Sequence, residues 1–230
     1  MSPINLNILK TFRRKIHPVS WHNLRSLKPV STIFGLERGT PIDRYYIEKF
    51  LETNSHLIKG TVLEIAESSY SKKFGGSKIT KQEILHYTED NAAATIVGDL
   101  SKPDSLPENR VECFICTQTF NFIYDFKQAI KGAHHVLQGG GVLLATLGGI
   151  SQISRYDMDR WGDFWRFTTL SALQSFEEIF GKGNVQVDFF GNVLSSVAFL
   201  EGISVEELSR EELDHKDENY QMLITVIAKK

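Results

Sequence analysis

The chain has 230 residues, 41% hydrophobic, 11% aromatic and 23% charged, a make-up that excludes a disordered or collagen-like chain and, at this length, points to one α/β domain with appendages. The formal net charge of −2 gives no general electrostatic reason to expect a nucleic-acid partner. No stretch approaches the roughly 20 apolar residues of a membrane span and no secretory signal pattern opens the sequence, so a cytoplasmic protein is expected.

The near-zero total hides two charged ends. Residues 1–36 hold Lys10, Arg13, Arg14, Lys15, Arg25 and Lys28 and no acid, whereas 201–218 hold eight acids against Arg210 and Lys216. Residues 1–36 are therefore set apart as a basic N-terminal arm, and residues 37–230 read as a single domain that opens with a cap helix at about 37–57. Charge runs are usually solvated faces. A sharper reading docks the arm weakly on an anionic membrane surface or a partner enzyme through Ile4, Leu6, Ile8, Leu9, Phe12 and Ile16; a third packs it on the acidic end of its own chain.

Within the domain, Thr40-Pro41-Ile42-Asp43 is a helix start with Thr as N-cap and Pro at the first helical position. Thr61–Ala66 is a short apolar strand ending in the polar turn Glu67-Ser68-Ser69. Glu83–Tyr87, Thr95–Gly98 and Val111–Cys116 are further strands, Asp125–Leu137 has a helical apolar pattern, Gly139-Gly140-Gly141 reads as a helix-to-strand turn, and Val142–Leu147 is the fifth strand. Leu170–Phe180 follows as a helix, Val185–Phe190 as a strand, Val193–Leu200 and Val205–Leu213 as helical segments, and Gln221–Ala228 as the last strand. Strands that are apolar throughout and alternate with helices predict a mostly parallel sheet covered on both faces, with an antiparallel addition at the C-terminal end.

Cys113 and Cys116 have the outline of a metal or redox motif, but on a strand positions i and i+3 point to opposite faces, so two buried core thiols are expected. The histidines assemble no ligand set; His134 and His135 are adjacent on a helix and point about 100° apart.

In an open parallel sheet, ligands bind outside the carboxyl ends of the strands. The exits here are Glu64-Ile65-Ala66-Glu67-Ser68-Ser69-Tyr70, Gly98-Asp99-Leu100 and Thr117-Gln118-Thr119-Phe120-Asn121. They carry acids and polar side chains and suit a ligand with amino donors better than a phosphate. No G-x-G-x-x-G or GxxxxGK[ST] occurs, which disfavours NAD(P) and nucleoside triphosphates.

The run Thr61-Val62-Leu63-Glu64-Ile65, then Gly98-Asp99-Leu100, Phe114-Ile115-Cys116-Thr117-Gln118 and Val136–Val142, resembles the class I S-adenosylmethionine-dependent methyltransferases over roughly residues 30–230. Phe34–Tyr46 and Asp163-Phe164-Trp165-Arg166-Phe167-Thr168 look like those found beside glycosyltransferases in bacterial polysaccharide pathways. The resemblance implies a Rossmann-like fold with a mostly parallel seven-stranded sheet, an antiparallel C-terminal strand and helices on both faces. It also implies S-adenosyl-L-methionine as cofactor and S-adenosyl-L-homocysteine as product.

By the same resemblance, Glu64 is the first-motif acid, Ala66 a backbone approach near the methionine moiety, Asp99 an acceptor for the adenine amino group and Leu100 a backbone donor and apolar face for the ring. Thr117 and Gln118 would lie along the methionine, with Tyr70 in the first turn. Two departures stand out: Ala66 and Ser68 replace the usual glycines, and the strand-two acid for the ribose is represented only by Glu89. Arg38 and Tyr45 read either as part of a salt-bridged cap helix or as a lid facing the site. Trp161, Asp163, Trp165 and Arg166 read either as a core loop or as an acceptor pocket suited to a sugar ring. Asp43, Asp157 and Asp163 are the candidates for a base. The expected activity is O-methylation of a carbohydrate or glycan-precursor hydroxyl, acting on a small-molecule or glycan acceptor. The alternative is a catalytically silent domain that binds a nucleoside ligand or a partner enzyme.

Overall fold

The computed structural model describes residues 25–230, so the expectations for the first 24 residues of the arm lie outside the described residues. Helix α1 (Ile42–Thr53) leads into β1 (Gly60–Ile65), α2 (Ser69–Gly75), β2 (Ile79–His86), β3 (Ile96–Val97), β4 (Val111–Thr117), α3 (Phe126–Val136) and β5 (Leu137–Gly148). After the short α4 (Arg155–Met158) come α5 (Thr169–Phe180), β6 (Val185–Phe190), α6 (Val193–Glu201), α7 (Arg210–Asp214) and β7 (Leu223–Lys229). The seven strands form one sheet in the order β3-β2-β1-β4-β5-β7-β6. Strands β1 to β5 pair in parallel, and β7 runs antiparallel to both β5 and β6.

Strand alternation sorts the core into two layers. Leu63, Phe114, Cys116, Leu143 and Ala145 face α3 and α5, through Ala129, Ile130, Ala172 and Phe176. Val62, Cys113, Ile115, Val142 and Leu144 face α1 and α6, through Ile42, Tyr46, Phe50, Ala198 and Phe199. Cys113 and Cys116 thus lie on opposite faces, both buried, and burial pushes each thiol up to about 12. On α1 the buried set Ile42, Tyr46, Ile47, Phe50 and Leu51 repeats at helical spacing. Tyr46 stacks on Phe190 at 5.1 Å and donates its hydroxyl to Leu213 O at 2.7 Å, so the cap helix is fastened to the C-terminal third.

Four local readings are corrected. Thr40 does not cap α1: its hydroxyl donates to Glu206 at 2.7 Å, and Pro41 precedes the helix without a side-chain cap. Helix α2 starts at Ser69, the last residue of the expected polar turn, and its sequence SYSKKFG, without apolar periodicity, gives no helical signal. Gly139–Gly141 lie within β5, which already starts at Leu137; the Gly140 amide donates to Lys230 O, so the glycines mark an irregular pairing and not a turn. The segment read as one helix over 205–213 is a single helical turn at Val205–Glu207 followed by α7.

The segment just before α1 wraps this edge of the domain. Ser31 is buried, its amide donating to Glu201 O at 2.9 Å, and Phe34 packs on Phe199. Among the described residues no helix is long and apolar enough to cross a membrane.

Candidate active site

The sheet changes direction of winding between β1 and β4, and that is where a crevice opens at the strand ends. β1 and β4 pair through Glu64 and Ile115, so their exit turns begin side by side. Both turns place a non-glycine residue in the left-handed region, Ala66 at φ 64° and Gln118 at φ 47°. At Ala66 the Glu67 amide donates to Ile65 O at 2.7 Å, a γ-turn of the rare, strained hand. Such outliers cluster where a function keeps them. Asn91 Nδ2 secures this turn by donating to Ala66 O at 2.7 Å.

A cavity of 280 Å³ lies over these exits, walled by Phe34, Pro41, Asp43 and Arg44 of the cap, Glu67 and Tyr70 after β1, Thr117, Gln118 and Asn121 after β4, and Gln152, Ser154, Asp157, Asp163 and Arg166 after β5. Asn121 is buried and holds three of these parts together. Its Nδ2 donates to Gln118 Oε1 at 3.2 Å, its Oδ1 accepts from the Gly148 amide at 3.3 Å, and its carbonyl accepts from the Phe164 and Trp165 amides. Asp163 is almost wholly enclosed and paired with Arg166, at 2.5 Å to Nη1 and 2.9 Å to Nη2, while it also accepts from the Ser154 amide. Asp157 accepts from Ser154 Oγ at 2.6 Å. Asp43 is different. Among the described residues its carboxylate accepts one hydrogen bond, from the amide of neighbouring Arg44 at 2.8 Å, and burial pushes its pKa up to about 6 against the pull of that bond and of Arg44.

The expected site residues separate accordingly. Tyr70, Thr117, Gln118, Asp163 and Arg166 line the cavity; Ala66 does not, though its chain neighbour Glu67 does. Glu64 does not line it: the carboxylate is buried and accepts from the Tyr70 and Ser71 amides at 3.1 and 2.9 Å, pinning the start of α2 to the end of β1. Desolvation raises its pKa, opposed by those two bonds. Asp99 and Leu100 also lie away from the cavity. Asp99 accepts from the Ser101 amide and hydroxyl and pairs with Lys102, and Leu100 is buried in the core. Glu89 is exposed, three residues beyond β2.

Two lid expectations are corrected. Arg38 pairs with Glu207, Nε to Oε2 at 3.0 Å, and the hydrogen bond from Arg38 draws Glu207 down to about 2. Tyr45 donates to Asp214 at 2.8 Å. Both side chains are drawn to the acidic end by opposite charge or hydrogen bonding, away from the cavity. Trp165 is likewise occupied, its indole N–H shared between Ile123 O and Tyr124 O, and Trp161 is a partly exposed residue outside the cavity wall. Sequence reasoning passed over Gln152 and Ser154, and saw Arg44 only within the cluster at the start of the cap helix. Asn121 had a usable signal, a polar residue between two phenylalanines at a strand exit.

A family model described as "Methyltransferase domain" matches residues 59–145. No curated protein sequence matches the chain. Among solved structures, an S-adenosylmethionine-dependent methyltransferase from Thermotoga maritima is 17% identical, with a TM-score of 0.52 over 82% of this chain and 91% of that one. The N-methyltransferase NodS from Bradyrhizobium japonicum, solved with S-adenosylhomocysteine, is 8% identical, with a TM-score of 0.50 over 84% and 89%. The (4+2)-cyclase SpnF shares the fold at 12% identity, with a TM-score of 0.55 over 89% and 87%.

The residues present suit S-adenosylmethionine. Four acids, Asp43, Glu67, Asp157 and Asp163, face Arg44 and Arg166 around the cavity, an acidic balance that favours a cationic ligand. Tyr70, Thr117 and Gln118 would hold the methionine end, and Ala66 takes the left-handed conformation that glycine adopts without strain. When bound, the cofactor supplies an electrophilic methyl group on a sulfonium. Strand order and crevice position are those of the Rossmann-like methyltransferase fold, and residues 59–145 match the methyltransferase domain model.

Proposed function

We propose that the protein transfers a methyl group from S-adenosylmethionine to a hydroxyl of a carbohydrate or glycan precursor. The observation that carries this reading is the far side of the cavity, where Asn121, Ser151, Gln152 and Ser154 put carboxamides and hydroxyls beside Asp43 and Asp157. Such groups donate and accept at close range and match an acceptor rich in hydroxyls. The rigid part of the wall is the Asp163–Arg166 pair, with Arg166 also donating to Gln152 O at 2.8 Å. It fixes the loop after β5, which would orient a bound acceptor and help to keep water out.

The test is calorimetric titration with S-adenosylhomocysteine, followed by transfer of labelled methyl from S-adenosylmethionine to a panel of sugars, nucleotide sugars and amines. Micromolar binding and label in a sugar hydroxyl are expected; binding with label only in amines would overturn the acceptor class. Asp99→Ala should weaken binding about tenfold if the adenine lies along the β3 exit, and unchanged affinity would move the adenine elsewhere.

A second reading is supported by the first turn. Ala66 is strained where glycine would be relaxed, and both oxygens of Glu64 are bonded to backbone amides. A domain that binds a nucleoside or a partner enzyme without transferring methyl would tolerate both. Binding of S-adenosylhomocysteine with no transfer to any acceptor favours it.

A further inference from the structure

Three aspartates line the cavity, and two are committed to holding its wall. Asp163 is enclosed and bound to Arg166 and to the Ser154 amide, and Asp157 is bound to Ser154 Oγ. A carboxylate so engaged has little freedom to take a proton. Asp43 has one local hydrogen bond, through Oδ1, and no ion pair among the described residues. It projects from the first turn of α1, next to Pro41 and Arg44 on the same wall. Helix α1 is held in place from behind by the Tyr46 hydroxyl on Leu213 O and by the Tyr46–Phe190 stack, so the position of Asp43 does not depend on a mobile loop. It also lies outside the matched segment 59–145, in the part of the chain that caps the acceptor side.

We infer that Asp43 is the general base that takes the acceptor's proton during methyl transfer. The inference rests on the reading of the cavity as a hydroxyl-acceptor site. As the O–H bond breaks, its electron pair stays on the oxygen that bonds the methyl carbon, the carbon–sulfur pair returns to sulfur, and the proton passes to the Asp43 carboxylate. A carboxylate raised toward neutrality is a better proton acceptor than one at its ordinary value. The charged and titratable groups that face it are Arg44 on its own helix, Glu67 and Tyr70 from the β1 exit and α2, and Asp157, Asp163 and Arg166 from the loop after β5. Arg44 pulls its pKa down, and burial outweighs that pull.

The experiment uses the full chain and the variants Asp43→Asn, Asp43→Glu and Asp157→Asn. In a carbon-13 NMR titration, the carboxyl signal that disappears in Asp43→Asn should titrate near pH 6; titration near 4 would overturn the assignment. Transfer of labelled methyl to the mixed sugar, nucleotide-sugar and amine panel should fall about 100-fold or more in Asp43→Asn. Asp43→Glu should recover part of that loss, and S-adenosylhomocysteine affinity should stay within twofold. Wild-type transfer should drop about tenfold per pH unit below 6, a limb that Asp43→Asn lacks. An Asp43→Asn variant that binds S-adenosylhomocysteine and transfers at the wild-type rate overturns the inference. Transfer by the wild type to amines alone overturns the hydroxyl reading, while the same variants still decide the role of Asp43. Binding with no transfer to any acceptor overturns both.

Discussion

The two sides of the crevice use their acids differently. On the side spanned by the family match, Glu64 and Asp99 are bonded to the backbone amides of their own turns and keep the strand exits in shape. On the other side, formed by the cap and the loop after β5, acids face the cavity, and one of them, Asp43, lacks a strong partner. The difference teaches that an acid at a strand exit can be scaffolding, whereas one on the cap can be left with few partners. What separates them is the number of donors each carboxylate already has.

The comparison can be broken most sharply at the pair within the cavity wall. Arg166→Ala leaves Asp163 enclosed and without its cation, and should cost about 3 kcal/mol of stability, read by urea denaturation; a loss under about 1 kcal/mol would mean that the pair does not hold the wall. Asp43→Asn should act in the opposite sense. The folded-state pKa of about 6 lies above the ordinary 3.8, so the ionised carboxylate is a burden on the fold above pH 6 and none below about pH 4. The substitution should therefore stabilise by about 2 kcal/mol at pH 7, with the gain vanishing toward pH 4. Melting temperatures at both pH values check this, and a pH-independent difference would contradict it.

Ala66→Gly relieves the left-handed turn and should stabilise by about 1 kcal/mol. Its effect on S-adenosylhomocysteine affinity sharpens the comparison further. Tighter binding would mean that the alanine narrows the cofactor's approach; unchanged binding would mean that the strain is local. The smallest effect is expected from Arg38→Ala, whose exposed pair with Glu207 lies away from the cavity. Affinity and transfer should both stay at wild-type levels, and a loss of transfer would restore the lid reading.

Much of the sheet was legible because its strands are buried on both faces, as Val111–Thr117 shows with apolar residues at nearly every position. Helix α2 escaped because it is short and polar, with only Ser71 and Gly75 buried. In the site, strand exits were found from topology alone, which brought Thr117, Gln118 and Tyr70 to the cavity. The partners of Arg38 and Tyr45 were not legible, since both lie 169 residues away in sequence. Helical periodicity gives the face of α1 but not what packs on it. Asp43 was visible as a candidate, but its standing relative to Asp157 and Asp163 depends on hydrogen bonds that only the folded loop creates.

The place of β7 between β5 and β6 has a consequence for how the sheet is assembled. Among the described residues, edge strand β6 hydrogen-bonds to no strand but β7, and β7 is the last of the seven strands in sequence order. During synthesis, residues 185–190 leave the ribosome with no strand to pair with, and β5 shows an open edge over Val142–Gly148 until residues 223–229 arrive. Open edges of this kind invite association between chains. A chain that stops short of Leu223 would forfeit two strands, not one.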